Sequence, residues 1–233
     1  MSTRKELLKQ DKFKEEASNI FDWISEHRKE TVRYGGITLA AIVLVAGFFY
    51  IRSSQASTRE QFLADAIALT NAPVGQAATP GGQSFPTQPA KDDAVKRAFT
   101  TIVSDYGGSQ EAYVAEYYLG TLALNSGNVD EARRKYQDAA DHANANYASL
   151  AKLALAQLDF AENRTGEAET ILKDLMAHPT DLVSKAQATY TYARVIAPAK
   201  PEEARKLLMQ LAGSHPDDIG QMAMTAINEL PQK

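Results

Sequence analysis

The chain has 233 residues, 44 % of them hydrophobic, a net charge of -4 and no cysteine, which suffices for one folded domain beside an anchor. Lacking cysteine, it excludes disulfides, thiolate metal sites, a cysteine nucleophile and a lipoprotein anchor. Its mild acidity, with no basic face and no base-stacking aromatic motif, argues against nucleic acid as a partner.

Residues 1–33 read as a cytoplasmic amphipathic tail. Phe13, Ala17, Ile20, Phe21 and Ile24 recur at helical spacing, with Lys14, Glu15, Glu16, Asp22 and Glu26 on the remaining surface. Phe21, Trp23 and the neighbouring basic residues suit a headgroup zone, so membrane lipid is the expected partner of this helix, with docking on a protein as the alternative. Residues 34–51, YGGITLAAIVLVAGFFYI, carry no charge. At about 1.5 Å per residue they make a helix of roughly 27 Å, close to the hydrocarbon thickness of a bilayer, and predict a single transmembrane helix. A cleaved signal, with Ser54-Gln55-Ala56 as its cleavage site, fits less well, because signal peptides have short basic starts and shorter apolar runs. Gly36 and Ala40 have the small-xxx-small spacing of close helix approach. Lys14, Arg28, Lys29 and Arg33 before the span outnumber Arg52 and Arg59 after it. The positive-inside rule therefore places the N-terminus in the cytoplasm and exports the C-terminal part.

Residues 52–233 form the predicted extracytoplasmic domain. Phe62, Leu63, Ala66, Ile67 and Leu69 keep helical spacing, with no breaker between them and Ile51. An insertion follows at 71–91, where Pro73, Pro80, Pro86 and Pro89 stand among Gly75, Gly81 and Gly82; it reads as a non-helical loop or linker. From Asp92 onward only helices are expected. The pairs Glu131-Ala132, Glu167-Ala168 and Glu203-Ala204 recur every 36 residues, and each opens an amphipathic helix. Asn128 with Glu131 resembles a capping box, Thr165 suits a cap, and Pro201 with Glu202 and Glu203 suits a first turn. Between these lie helices at about Gln110 to Asn125, Asn146 to Glu162 and Asp181 to Ile196. Asp93, Ala94, Ala98, Phe99 and Ile102 suggest the second helix of an earlier hairpin that starts around Phe62. Ile219, Met222, Ala223, Ala226, Ile227 and Leu230 suggest a terminal capping helix with a polar outer face.

The run Tyr113 to Ala140, YVAEYYLGTLALNSGNVDEARRKYQDAA, resembles a tetratricopeptide repeat. Gly120 and Ala132 allow two helices to cross closely, Tyr136 fills the gap between hairpins, and Gly127 makes the turn. The later repeats have Ala156 and Tyr192 in place of Gly120 and no glycine at the turn. The expected fold is therefore all-α: one transmembrane helix, then a tetratricopeptide-like helical-hairpin solenoid with a C-terminal capping helix.

No catalytic, cofactor or metal constellation is legible, and an enzyme is not expected. Asp92-Asp93, Asp217-Asp218 and Glu202-Glu203 read as favourable charges at helix N-termini. His178-Pro179 and His215-Pro216 hold one repeat position, and His142 has no convergent partner. Gly107-Gly108 is a turn before Ser109, not a phosphate loop. Function in such solenoids lies on the concave wall of first helices. Phasing from the first repeat puts Val114, Tyr117, Thr121, Leu124 and Asn125 there, then Leu150, Leu153, Gln157 and Phe160, then Ala186, Thr189, Ala193 and Ile196. Some of these also serve the core. The wall is mostly apolar and lacks the basic set that holds acidic chaperone tails, which suggests an apolar segment or amphipathic helix as ligand.

In order and topology the chain resembles the ancillary SecYEG translocon subunit family, inner-membrane proteins with one span and an exported tetratricopeptide domain. The resemblance rests on DKFKEEASNIFDWISEHRKE (Asp11 to Glu30) and on the Tyr113 to Ala140 repeat. It implies action beside the secretion translocon with a membrane-anchored periplasmic chaperone, or with exported chains. The expected function is an inner-membrane protein-binding scaffold or co-chaperone with its repeat domain in the periplasm. The alternative is a self-assembling homo-oligomer that organises an envelope or division complex and binds no client.

Overall fold

The computed structural model describes residues 41–44, 56–75, 83–214 and 218–230. The chain divides into two compact units, 1–57 and 58–233. In the first unit, residues 41–44 are helical and leave Ile42, Val43 and Leu44 exposed. The expected tail helix, the rest of the 34–51 span, and its junction with the following helix lie outside the described residues. Among the described residues no helix is long and apolar enough to cross a membrane.

The second unit is built from α-helices, with no strand among its described residues. We number the helices from residue 56 onward α1 (56–70), α2 (Gln88–Tyr106), α3 (Gln110–Asn125), α4 (Val129–His142), α5 (Ala145–Ala161), α6 (Thr165–Ala177), α7 (Lys185–Ile196), α8 (Pro201–Ser214) and α9 (Asp218–Glu229). Each helix from α2 onward packs against its neighbours in sequence, α3 touches α5, and α9 touches α7 as well as α8. These are the expected hairpins α1/α2, α3/α4, α5/α6 and α7/α8, followed by α9.

The two helices of a hairpin start differently. Ser109, Asn144 and Ser184 cap α3, α5 and α7, each side-chain oxygen accepting from the backbone N–H three residues on, at 3.1, 3.2 and 3.1 Å. Asn128 and Arg164, which precede α4 and α6, make no side-chain cap bond. The expected capping box and Thr165 cap are therefore not formed, because backbone turns supply the contacts. Gly127 and Asn128 donate to Leu124 and Ala123 carbonyls at 2.9 and 2.8 Å. Asn163 and Arg164, 36 residues later, donate to Phe160 and Asp159 at 3.1 and 2.7 Å. Gly127 has φ 78° and Asn163 φ 63°, so the second turn replaces glycine with one of the few side chains that tolerates the left-handed region.

Two expected boundaries change. α7 begins at Lys185, not Asp181, because Thr180 and Val183 close a turn in which the Val183 N–H meets Thr180 Oγ1 at 3.1 Å and Thr180 N–H meets the Val183 carbonyl at 3.0 Å; Val183 is fully buried. The insertion is partly helical: Thr87 caps α2 at Gln88, and Pro89 sits in its first turn, where a missing N–H costs nothing. The described ends of the insertion are joined, with Gly75 N–H on the Phe85 carbonyl at 2.9 Å, Phe85 N–H on Pro73 at 3.0 Å and Lys91 Nζ on Ala72 at 2.8 Å. Asp92 and Asp93 consequently fall beyond the first turn of α2, which holds no acid; Asp92 accepts from Gln88 Nε2 at 2.7 Å instead.

The core follows the small-residue pattern. Gly120 admits the Tyr136 ring so closely that a Cβ there would lie 2.9 Å from Tyr136 Cδ1 and Cε1. Tyr136 then packs with Ala123, Ala132 and Ala139 of its own hairpin and Ala151 and Leu155 of the next. Beyond it a larger core joins Ala168, Leu172, Val183, Tyr192, Ile196 and Leu208 to Ala223, Ala226 and Leu230 at the end of the chain. Charged pairs stitch the hairpins. The buried Asp159 carboxylate takes Arg133 at 2.7 Å and Arg164 at 2.7 and 3.1 Å. Buried Glu116 Oε2 has Lys135 Nζ at 2.7 Å, and Lys152 meets Asp174 at 2.9 Å. Met222, expected to face inward, is 47 % exposed, and Met224 60 %, so α9 does not present a purely polar outer face.

Candidate protein-interaction surface

The first-helix face of α3 is aromatic. Tyr113, Tyr117 and Tyr118 are half-buried on it, with Thr121 one turn on, and α5 brings Tyr147 beside them. Tyr117 stands 5.3 Å from Tyr118, 5.7 Å from Tyr136 and 6.1 Å from Tyr147, centroid to centroid, spacings at which edge-to-face rings attract. Tyr118 stacks on Phe99 at 4.7 Å, which ties the cluster to α2. The polar tips are paired in part: the Tyr118 and Tyr147 hydroxyls meet at 3.5 Å, and Tyr136 donates to Thr121 Oγ1 at 3.1 Å. Burial raises the Tyr117 and Tyr136 hydroxyls above their ordinary value, and it raises Tyr118 further with help from the Tyr147 hydrogen bond. At neutral pH these three hydroxyls are un-ionised. A hollow of about 240 Å³ continues the face towards α2, with Lys91, Asp92, Val95, Tyr118, Thr121 and Asn125 in its walls.

The residues expected to line one continuous wall separate into three groups. Val114, Leu153, Thr189 and Ile196 are buried at 2, 6, 9 and 0 % exposure, as are Ala186 and Ala193, and they are lost to binding. On α7 the cause is α9, which packs on α7 and α8 and draws Ala193 and Ile196 into one core with Ala223 and Ala226. Thr189 hydrogen-bonds the Lys185 carbonyl at 2.7 Å. Leu150 and Phe160 are half-buried at the edge of that core. Tyr117, Thr121, Leu124, Asn125 and Gln157 reach the surface. The apolar wall thus gives way to a tyrosine face on α3 and α5. Sequence reasoning missed Tyr113, Tyr118 and Tyr147. The available signal was density, since Tyr113, Tyr117, Tyr118, Tyr136 and Tyr147 are five of the chain's 10 tyrosines.

The histidines follow the repeat. His142 and His178 lie 36 residues apart at the ends of α4 and α6, and each Nδ1 approaches the aspartate four residues back, Asp138 at 3.3 Å and Asp174 at 3.0 Å. His142 therefore shares the position expected for His178, and it also stacks on Tyr113 at 4.9 Å. His215 lies outside the described residues. Among the described residues no three potential ligands converge on a metal position.

No curated protein matches the chain. The family described as tetratricopeptide repeat-like domain matches residues 22–178, about two thirds of the chain, from before the predicted span to the end of α6. Domains of this kind mediate protein–protein contacts, which makes protein the class of partner. By repeat, turn geometry and family match together, the chain belongs to the tetratricopeptide repeat-like domain family.

Proposed function

We propose that the chain is a membrane-anchored protein-binding scaffold of a bacterial inner membrane, with its N-terminus in the cytoplasm and its repeat unit in the periplasm. It holds apolar or amphipathic segments of a protein partner and performs no catalysis. The observation that carries this reading is the tyrosine face on α3 and α5, where rigid amphipathic rings offer large contact area at small entropic cost. The anchor is supported by the uncharged run 34–51 between Arg33 and Arg52 and by the lysines and arginines before it. Resemblance to the ancillary translocon subunits favours the secretion translocon, a membrane-anchored periplasmic chaperone or exported chains as partners. Photocrosslinkers placed singly at Tyr117, Leu124 and Tyr147 in cells test this. The expected products contain a secretion-machinery component or an export substrate; products with neither would refute it.

Self-assembly is the second reading, favoured by Met209, Met222 and Met224, exposed at 60, 47 and 60 % on α8 and α9. Sedimentation of the full chain in detergent over a hundredfold concentration range separates the two, because a constant protomer mass would exclude it.

A further inference from the structure

The hairpin α1/α2 carries a second surface, apart from the tyrosine face. On α1, Phe62, Asp65 and Leu69 follow one another at i, i+3 and i+7; on α2, Ala98, Ile102 and Asp105 follow at i, i+4 and i+7. These two stripes, together with Asn71, Pro73 and Gln83 from the ends of the insertion, line a cleft of about 640 Å³, within the range that holds drug-sized ligands. The neighbouring face of α2, through Phe99 and Val95, is already taken by Ala115, Leu119 and Tyr118 of α3. Solenoids need a polar outer face on their terminal repeats, yet here Phe62 is 49 % exposed, tilted against Tyr106 at 6.1 Å. The charged groups lining the cleft are Asp65 on one wall and Asp105 on the other, both exposed. Two nearby cations are directed elsewhere, Arg59 to Glu111 at 3.1 Å and Lys91 to the Ala72 carbonyl at 2.8 Å, while Arg97 is exposed on α2 beside Ala98 and is not among the lining residues.

We propose that this cleft is a docking groove for a cationic amphipathic helix of a partner protein. Two helical stripes with the buried Ala66 and Ile102 among the lining side chains match a helix that presents leucine-like side chains at i, i+3, i+4 and i+7. A carboxylate on each wall selects lysine or arginine on both flanks of that apolar stripe, and repels an acidic helix of the same shape. The interaction is distinct in place and in chemistry from the tyrosine face.

The probe is a fluorescent sixteen-residue helix with leucine at those positions and lysine elsewhere, compared with a counterpart carrying glutamate for lysine. Both are titrated by anisotropy against the full chain in zwitterionic detergent, with micelles alone as the blank. The lysine peptide should bind at least about tenfold more tightly than the glutamate peptide, and the double variant Asp65→Lys/Asp105→Lys should reverse that order. Both aspartates are exposed, so the reversal leaves the core untouched. Ala98→Trp, which fills the cleft, should abolish binding of either peptide. Equal affinity for the two peptides, an affinity unchanged by the charge reversal, or loss of binding on Tyr147→Ala but not on the charge reversal would each overturn the proposal. Should Ala98→Trp unfold, the charge reversal decides by itself.

Discussion

Gly120→Ala tests the close helix crossing on which the first hairpin depends. In most helices this change stabilises by about 1 kcal/mol through propensity. Here the new Cβ would stand 2.9 Å from two carbons of the Tyr136 ring and 3.2 Å from Lys135 Cβ, well inside ordinary van der Waals contact. The ring has nowhere easy to go: it is 2 % exposed, packed on Ala132 and Leu155, and its hydroxyl is held by Thr121 at 3.1 Å. Overpacking of this kind costs about 1–3 kcal/mol, which cancels the propensity gain of about 1 kcal/mol and leaves a net loss of up to about 2 kcal/mol. For a domain of this size each kcal/mol moves Tm by about 2–4 °C. Thermal unfolding followed by circular dichroism reads the loss, and a cycle with Tyr136→Ala isolates its cause. In the Tyr136→Ala background the same glycine change should raise Tm, giving a coupling of about 2 kcal/mol. A Gly120→Ala variant more stable than the parent by the full propensity gain of about 1 kcal/mol would refute the crossing geometry.

Asp159→Ala should cost about 2–3 kcal/mol in urea unfolding, because a carboxylate only 3 % exposed is removed from between Arg133 and Arg164; the arginines reach solvent, which keeps the loss below that of a fully buried pair. Asn163→Val forces a β-branched residue to φ 63° and should destabilise by about 1–2 kcal/mol, while Asn163→Gly should be close to neutral. In an alkaline titration followed at the tyrosinate band, Tyr117, Tyr118 and Tyr136 should ionise above the ordinary value of 10.0, the shift coming first from burial. Their folded values are raised, so the stability they contribute is intact below that pH and is lost as pH climbs through the folded values; tyrosinate absorbance complete near pH 10 in the folded chain would contradict this.

The hairpins were legible because their determinants are local or periodic. Gly120, Gly127, Ala132 and Tyr136 each do one steric task, and the 36-residue recurrence of Glu-Ala repeats the unit. What escaped depended on contacts across the chain. Nothing in α7 itself shows that Ala193 and Ile196 will be covered by α9, so phasing assigned them to a binding wall. Tyr147 joins Tyr117 and Tyr118 only after α3 and α5 pack, and their separation in sequence hides the cluster. The start of α7 was misplaced because Thr180, Val183 and Ser184 compete with helix through side-chain and turn hydrogen bonds, a competition that periodicity does not register. Asn163 was overlooked as a turn residue because the expectation asked for glycine.

The most direct test of a protein-binding role for the tyrosine face is quantitative co-purification from membranes under gentle detergent, comparing the parent chain with Tyr147→Ala/Leu124→Ser. Both side chains reach the surface of the first-helix face, so the fold should be retained and checked by Tm. Proteins that accompany the parent should fall at least about tenfold with the variant. Equal recovery of those partners by a folded variant would contradict the assignment of binding to this face.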